Sequence, residues 1–87
     1  MDTPEEMRHE TLYHATGDIV LSAVESATGH TIIFRLDRIF LAGYSSEFRA
    51  MFADLTGNGQ YDGVPRVNLP DDAYELARLF EACIDPL

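Results

Sequence analysis

Eighty-seven residues make one domain at most, and 46% hydrophobic with 24% charged residues is the balance of a folded globular chain, not a disordered one. A formal net charge of −9 disfavours direct binding to nucleic acids, which are polyanions, and docking on anionic lipid. The lone cysteine, Cys83, cannot form an internal disulfide, no apolar run approaches the ~18 residues of a membrane span, and the N-terminus lacks a signal peptide's basic and apolar blocks. A reduced intracellular compartment, cytoplasmic or nuclear, is expected.

Thr3-Pro4-Glu5-Glu6 reads as a helix start, with Thr3 as cap, Pro4 at the first position and Glu6 reaching back. Little apolar periodicity follows it, so residues 1–16 are expected to be a short helix or an arm, ahead of a domain over 17–87. The run Ile19 to Val24 is short, β-branched and apolar on both faces, which predicts a well-buried strand. After a turn at Glu25 to Gly29, Thr31 to Leu36 alternates, with Ile32, Phe34 and Leu36 on one face. The two segments predict an antiparallel hairpin.

At Asp37 the period changes from two to 3.6. Asp37 is expected to cap a helix whose apolar side is Ile39, Phe40 and Leu41 and which Gly43 ends. Ser45 or Ser46 caps a second helix carrying Phe48, Met51, Phe52 and Leu55 on one face. Gly57 to Gly63 reads as a flexible loop, and Val64 to Leu69 as holding a short strand with Val67 and Leu69 inward. The last helix starts near Asp71 or Asp72, with Glu75 at capping-box spacing from Asp72. Its buried stripe is Ala73, Leu76, Leu79, Phe80, Cys83 and Ile84, and Pro86 stops it.

The stretch Phe34 to Phe52, FRLDRIFLAGYSSEFRAMF, resembles the signature of the BTB/POZ family. The matching positions are Phe34, Arg38, Leu41, Ala42, Ser45, Phe48, Met51 and Phe52. Asp18-Ile19-Val20-Leu21 resembles the family's opening strand. Tyr61 to Pro65, followed by Val67 to Asp71, looks like a divergent branch common in fungal members. The resemblance implies an α+β fold: a small mixed sheet, made of the hairpin and a short third strand, capped by a helical cluster. It further implies a protein–protein interaction module with no catalysis and no cofactor, able to form homodimers. Asp18 and Arg38 stand where the family places an acid and a base facing each other in a charged pocket. The plainer reading is a buried ion pair that fixes strand against helix.

Four departures stand beside the match. Asp37 replaces the family's usual His. The polar stretch Thr3 to Glu10 is short for an exchanged N-terminal helix. Adaptors of cullin-3 ubiquitin ligases, the alternative role, use a hydrophobic-x-Glu motif where this chain has Leu55-Thr56-Gly57. Complete family members continue with further helices past the point matching Leu87. Tyr44, Tyr61 and Tyr74 are candidate contact aromatics together with Leu55, since tyrosine is enriched at interfaces, although half-buried packing explains them equally well.

Other chemistry has weaker signals. Asp54, Thr56, Asn58, Gly59 and Asp62 follow the front of a calcium loop, but the twelfth place holds Pro65 instead of a bidentate Glu. His9, His14 and His30 lack ligand spacing. Cys83 falls on a core stripe, and no base is set against a nucleophile.

Overall fold

The strand predicted to be apolar on both faces, β2 (Ile19–Val24), lies in the middle of the sheet, and its side chains from Ile19 to Ala23 are buried. The computed structural model describes residues 5–53, 55 and 59–84. In chain order the other elements are β1 (Glu6–Tyr13), β3 (Thr31–Leu36), α1 (Arg38–Tyr44), α2 (Ser46–Ala53), β4 (Gln60–Tyr61), β5 (Val64–Asn68) and α3 (Ala73–Ile84). The sheet order is β1-β3-β2-β5-β4, so the described residues form a small α+β fold with a five-stranded mixed sheet and three helices. No helix among the described residues is long and apolar enough to cross a membrane.

The expected hairpin forms, with β2 antiparallel to β3 and Leu21 opposite Phe34. Alternation then sorts the side chains. Ile19, Leu21, Ala23, Phe34, Leu36 and Val67 face the helices and meet Leu41, Phe48, Leu76 and Phe80. Phe80 is fully buried and sets its ring edge-on to Phe34, with centroids 5.1 Å apart. Phe48 lies 6.1 Å from the same ring, so Phe80 ties α2 to the sheet. Burying side chains of this size is worth ~1.5–3 kcal/mol each, which makes this cluster the main source of stability.

Two elements differ from the sequence reading. Residues 6–13 form no helix: β1 is an edge strand that pairs parallel with β3, Glu6 opposite Thr31. Thr3 and Pro4, the supposed helix start, lie outside the described residues. Tertiary pairing overrides the local cap signal because Leu12 can be buried there, at 4% exposure, whereas an isolated polar helix would bury nothing. The register slips between Arg8 and Tyr13. There the His9 Nδ1 accepts the amides of Thr11 and Leu12 at 3.2 and 3.0 Å, which places the ring proton on Nε2. The second difference is β4, inside the expected loop. Asp62 and Gly63, with φ of 55° and 76°, turn the chain between β4 and β5. An Asp-Gly pair with both φ positive is the preferred two-residue hairpin turn.

The helix ends follow the expected chemistry, with one exchange of partners. Ser45 caps α2 by accepting the amides of Glu47 and Phe48. Asp72 caps α3 through the amides of Tyr74 and Glu75, and the same carboxylate accepts the Ser26 amide and hydroxyl at 2.8 and 2.6 Å. One acid therefore fastens the β2–β3 turn to the start of α3. Asp37 occupies the N-cap position of α1, but its side chain makes no capping bond. The Arg38 amide instead donates to Asp18 Oδ1 at 2.7 Å. Gly43 does not end α1, which runs on to Tyr44.

Two stability tests follow. The hydroxyl and amide of Ser26 hold the Asp72 carboxyl below its usual range. An acid depressed in the folded state adds stability above its unfolded pKa, near 3.9, and that stability is lost as pH falls through the folded value. Thermal melts of Asp72→Ala should therefore lie below wild type at neutral pH, and the gap should narrow as pH falls below the unfolded value. A gap independent of pH would sink this account. At Gly17 an added Cβ would stand 2.9 Å from Arg35 Cγ and from the Leu36 backbone nitrogen and oxygen. Gly17→Ala should cost about 1–3 kcal/mol in urea denaturation, and a neutral effect would show that the β2–β3 end gives way.

Candidate functional site

The apolar side expected for α1 is divided. Leu41 alone is buried, while Ile39 is 77%, Phe40 50% and Tyr44 57% exposed. A seven-residue helix that joins a strand directly to a second helix can turn only a narrow stripe inward. Phe40 and Tyr44, four apart, lie on one outward face, and Ile39 adjoins it. Gly43 sits between them with nothing where a Cβ would be, so this face is flat as well as apolar.

Tyr44 also stands at the mouth of a cleft of about 410 Å³. Phe48 and Met51 of α2 form one wall, Leu76 and Leu79 of α3 the other, with Leu69 and Pro70 also lining it. Among the described residues α1 packs on both α2 and α3, whereas α2 and α3 meet through the Phe48 and Phe80 rings with their backbones apart. The charged side chains of the lining are Glu47 and Asp71, both acidic.

Asp18 and Arg38 do meet, with Arg38 Nε 3.4 Å from Asp18 Oδ2. Their side chains are 52% and 41% exposed, so this is a surface contact and not a buried pair in a pocket. Its firmer half is the bond from the Arg38 amide to Asp18, which supplies the α1 cap that Asp37 leaves unmade.

The face of the sheet turned away from the helices carries a second polar group, of which sequence reading singled out only Tyr61 and Asp62. Val20 and Ile33 are wholly buried there, yet no helix among the described residues covers them. Tyr13 and Tyr61 pack over them. The Arg8 guanidinium lies 4.5 Å above the Tyr13 ring and donates to the Tyr61 hydroxyl at 3.2 Å. Arg35 donates to Asp62 at 3.1 Å and to the Gly17 carbonyl at 2.9 Å, and the Tyr13 hydroxyl donates to the same Asp62 oxygen. Arg66 grips Glu6 with both terminal nitrogens, at 2.7 and 3.3 Å, and its Nε reaches Asn68 at 3.0 Å. Ser22, 2% exposed, is satisfied by Asn68 and Arg66. The hydrogen bond from Arg66 holds the Glu6 carboxyl below the ordinary carboxylate range. Arginine stems and tyrosine rings thus act as a roof over an apolar floor. The available sequence signal was the Asp62-Gly63 turn, which fixes β4 and with it Tyr61.

The remaining candidates are scattered. Tyr61 belongs to this roof. Tyr74, 60% exposed, sits beside Arg78 in a shallow depression with His9, Ala77 and Glu81. Leu55 packs partly buried against the core, and positions 56 and 57 of the hydrophobic-x-Glu comparison lie outside the described residues. Of the calcium-loop positions, Asp54, Thr56 and Asn58 lie outside them too, while Asp62 is engaged by Arg35 and Tyr13. His9 and His14 line different depressions, and no cluster of metal-ligand side chains occurs among the described residues. Burial pushes the Cys83 thiol up, away from an activated thiolate.

Asp18→Ala removes a cap worth ~0.5–2 kcal/mol and an exposed ion pair worth at most ~1 kcal/mol. Chemical denaturation should therefore show a loss of about 1–2 kcal/mol, most of it kept at high salt, where surface pairs are screened. A loss that vanishes in high salt would assign the effect to the ion pair and not to the cap.

No family model, no curated protein and no solved structure matches this chain.

Proposed function

We propose that this chain is a BTB/POZ-like protein–protein interaction module that works by burying surface and catalyses nothing. The observation that carries the reading is the outward face of α1, where Ile39, Phe40 and Tyr44 are half or more exposed beside an apolar cleft. Contiguous apolar surface of this kind marks interaction sites on soluble domains. The resemblance in the segment 34–52 supports the same reading, since that segment supplies β3, α1 and α2, the elements that hold this face. The lone Cys83 fits a cytoplasmic or nuclear setting. A cullin-3 adaptor role gains no comparable observation, because Leu55 is turned toward the core.

A second copy of the chain is the first partner to test, through a two-fold contact of α1 on α1. Two chains of charge −9 repel, and salt screens that repulsion, so association should strengthen with ionic strength. Sedimentation equilibrium at about 200 µM detects a contact of roughly 5 kcal/mol. The expected result is a mass that rises with concentration and salt, and falls to the monomer in Phe40→Asp. A monomeric mass throughout would reject self-association.

A further inference from the structure

The cleft between α2 and α3 has more definite chemistry than the α1 face beside it. Its walls come from two helices that meet below it through Phe48 and Phe80 while their backbones stand apart. Phe48 and Met51 on one wall, and Leu76 and Leu79 on the other, each stand three apart, so each helix presents a ridge along its i±3 row. The core cluster leaves Met51, Leu69 and Leu79 only partly buried, so the walls keep apolar surface in water. No strand edge lines the cleft, and the Leu69 amide is already bonded to the Ser22 carbonyl. An extended peptide would therefore find few backbone partners there. A helix satisfies its own backbone and needs only apolar ridges, which is what the walls offer. Charge narrows the choice. Glu47 and Asp71 line the cleft, no cationic side chain among the described residues does so, and the chain as a whole carries −9.

We propose that this cleft is a docking groove for an amphipathic helix of a partner protein, with an apolar ridge between the walls and lysines or arginines flanking it over Glu47 and Asp71. The proposal rests on the interaction-module reading and adds the partner's chemistry to it. The net negative charge steers such a helix toward the groove and turns an acidic one away.

The test uses the whole chain and a fluorescent synthetic peptide of about five helical turns, with leucines at i, i+3, i+4 and i+7 and lysines elsewhere. Two sister peptides replace the lysines by glutamates, or place a proline in the middle. By fluorescence anisotropy the lysine peptide should bind at least about tenfold more tightly than either sister, and the preference should shrink with salt. Glu47→Lys with Asp71→Lys should reverse the order of the lysine and glutamate peptides. Both changes are at the surface, so the result does not depend on a destabilised core. Met51→Glu should weaken binding by a similar factor, with a melting curve recorded beside it. Equal binding of the lysine and glutamate peptides, undiminished binding of the proline peptide, or an unchanged order in the charge-reversed variant overturns the proposal. Phe40 does not line the cleft, so the α1 contact is scored separately. No peptide binding in a chain that self-associates through Phe40 defeats the groove alone, and peptide binding by a strictly monomeric chain defeats the α1 contact alone.

Discussion

A strand that is apolar on both faces must be covered twice, and this requirement on β2 organises the rest of the molecule. Ile19, Leu21 and Ala23 are covered by the helices through Phe80, Leu76 and Leu41. Val20 has no helix of the described residues above it, yet it is as fully buried as its neighbours. Long polar side chains take that place, because arginine stems and tyrosine rings exclude water from below while their polar ends stay in it.

That solution fixes where the charges go. All the cationic side chains of the chain are arginines, six in number, and Arg8, Arg35 and Arg66 are committed to the roof. Glu6 and Asp62 are the carboxylates held there with them. Outside the roof three arginines remain against thirteen carboxylates, so the negative excess lies there. Glu47 and Asp71 at the cleft belong to that excess. The stability of the sheet and the electrostatic character of the helical face are two results of one distribution of six arginines.

Features with a local cause were legible in the sequence. The β2–β3 hairpin, both helices of the signature stretch and the amphipathic stripe of α3 all follow from period and capping, and Asp72 caps where its spacing with Glu75 indicated. Features that depend on distant partners were not. Nothing within Glu6 to Tyr13 announces a strand, since its pairing comes from β3 and its one deeply buried side chain is Leu12. Asp37 holds the N-cap position, but the acid that reaches the Arg38 amide is Asp18, just before β2 and 20 residues away in the chain. The site was legible in the same uneven way. Tyr44 and the pairing of Asp18 with Arg38 could be named from sequence, whereas the exposure of Ile39 and Phe40 could not, because periodicity does not reveal which half of a short apolar helix faces out. The roof was hidden because Arg8, Tyr13, Arg35, Tyr61 and Arg66 are neighbours only across strands.

The strand order also fixes a sequence of assembly. Only the β2–β3 and β4–β5 contacts join strands adjacent in the chain by short turns, and both are antiparallel hairpins, which form in roughly microseconds. The contacts of β1 with β3 and of β2 with β5 are parallel and close much longer loops, at a greater entropic cost and a slower rate. Val20 is sheltered only once β1, β4 and β5, which carry Tyr13, Tyr61 and Val64, have joined the β2–β3 pair. Until then, one of the most apolar segments of the chain is exposed on an open edge. The interval before that docking, more than the finished fold, is when an 87-residue chain of this design is open to aggregation, and its net charge of −9 is the safeguard that acts during it.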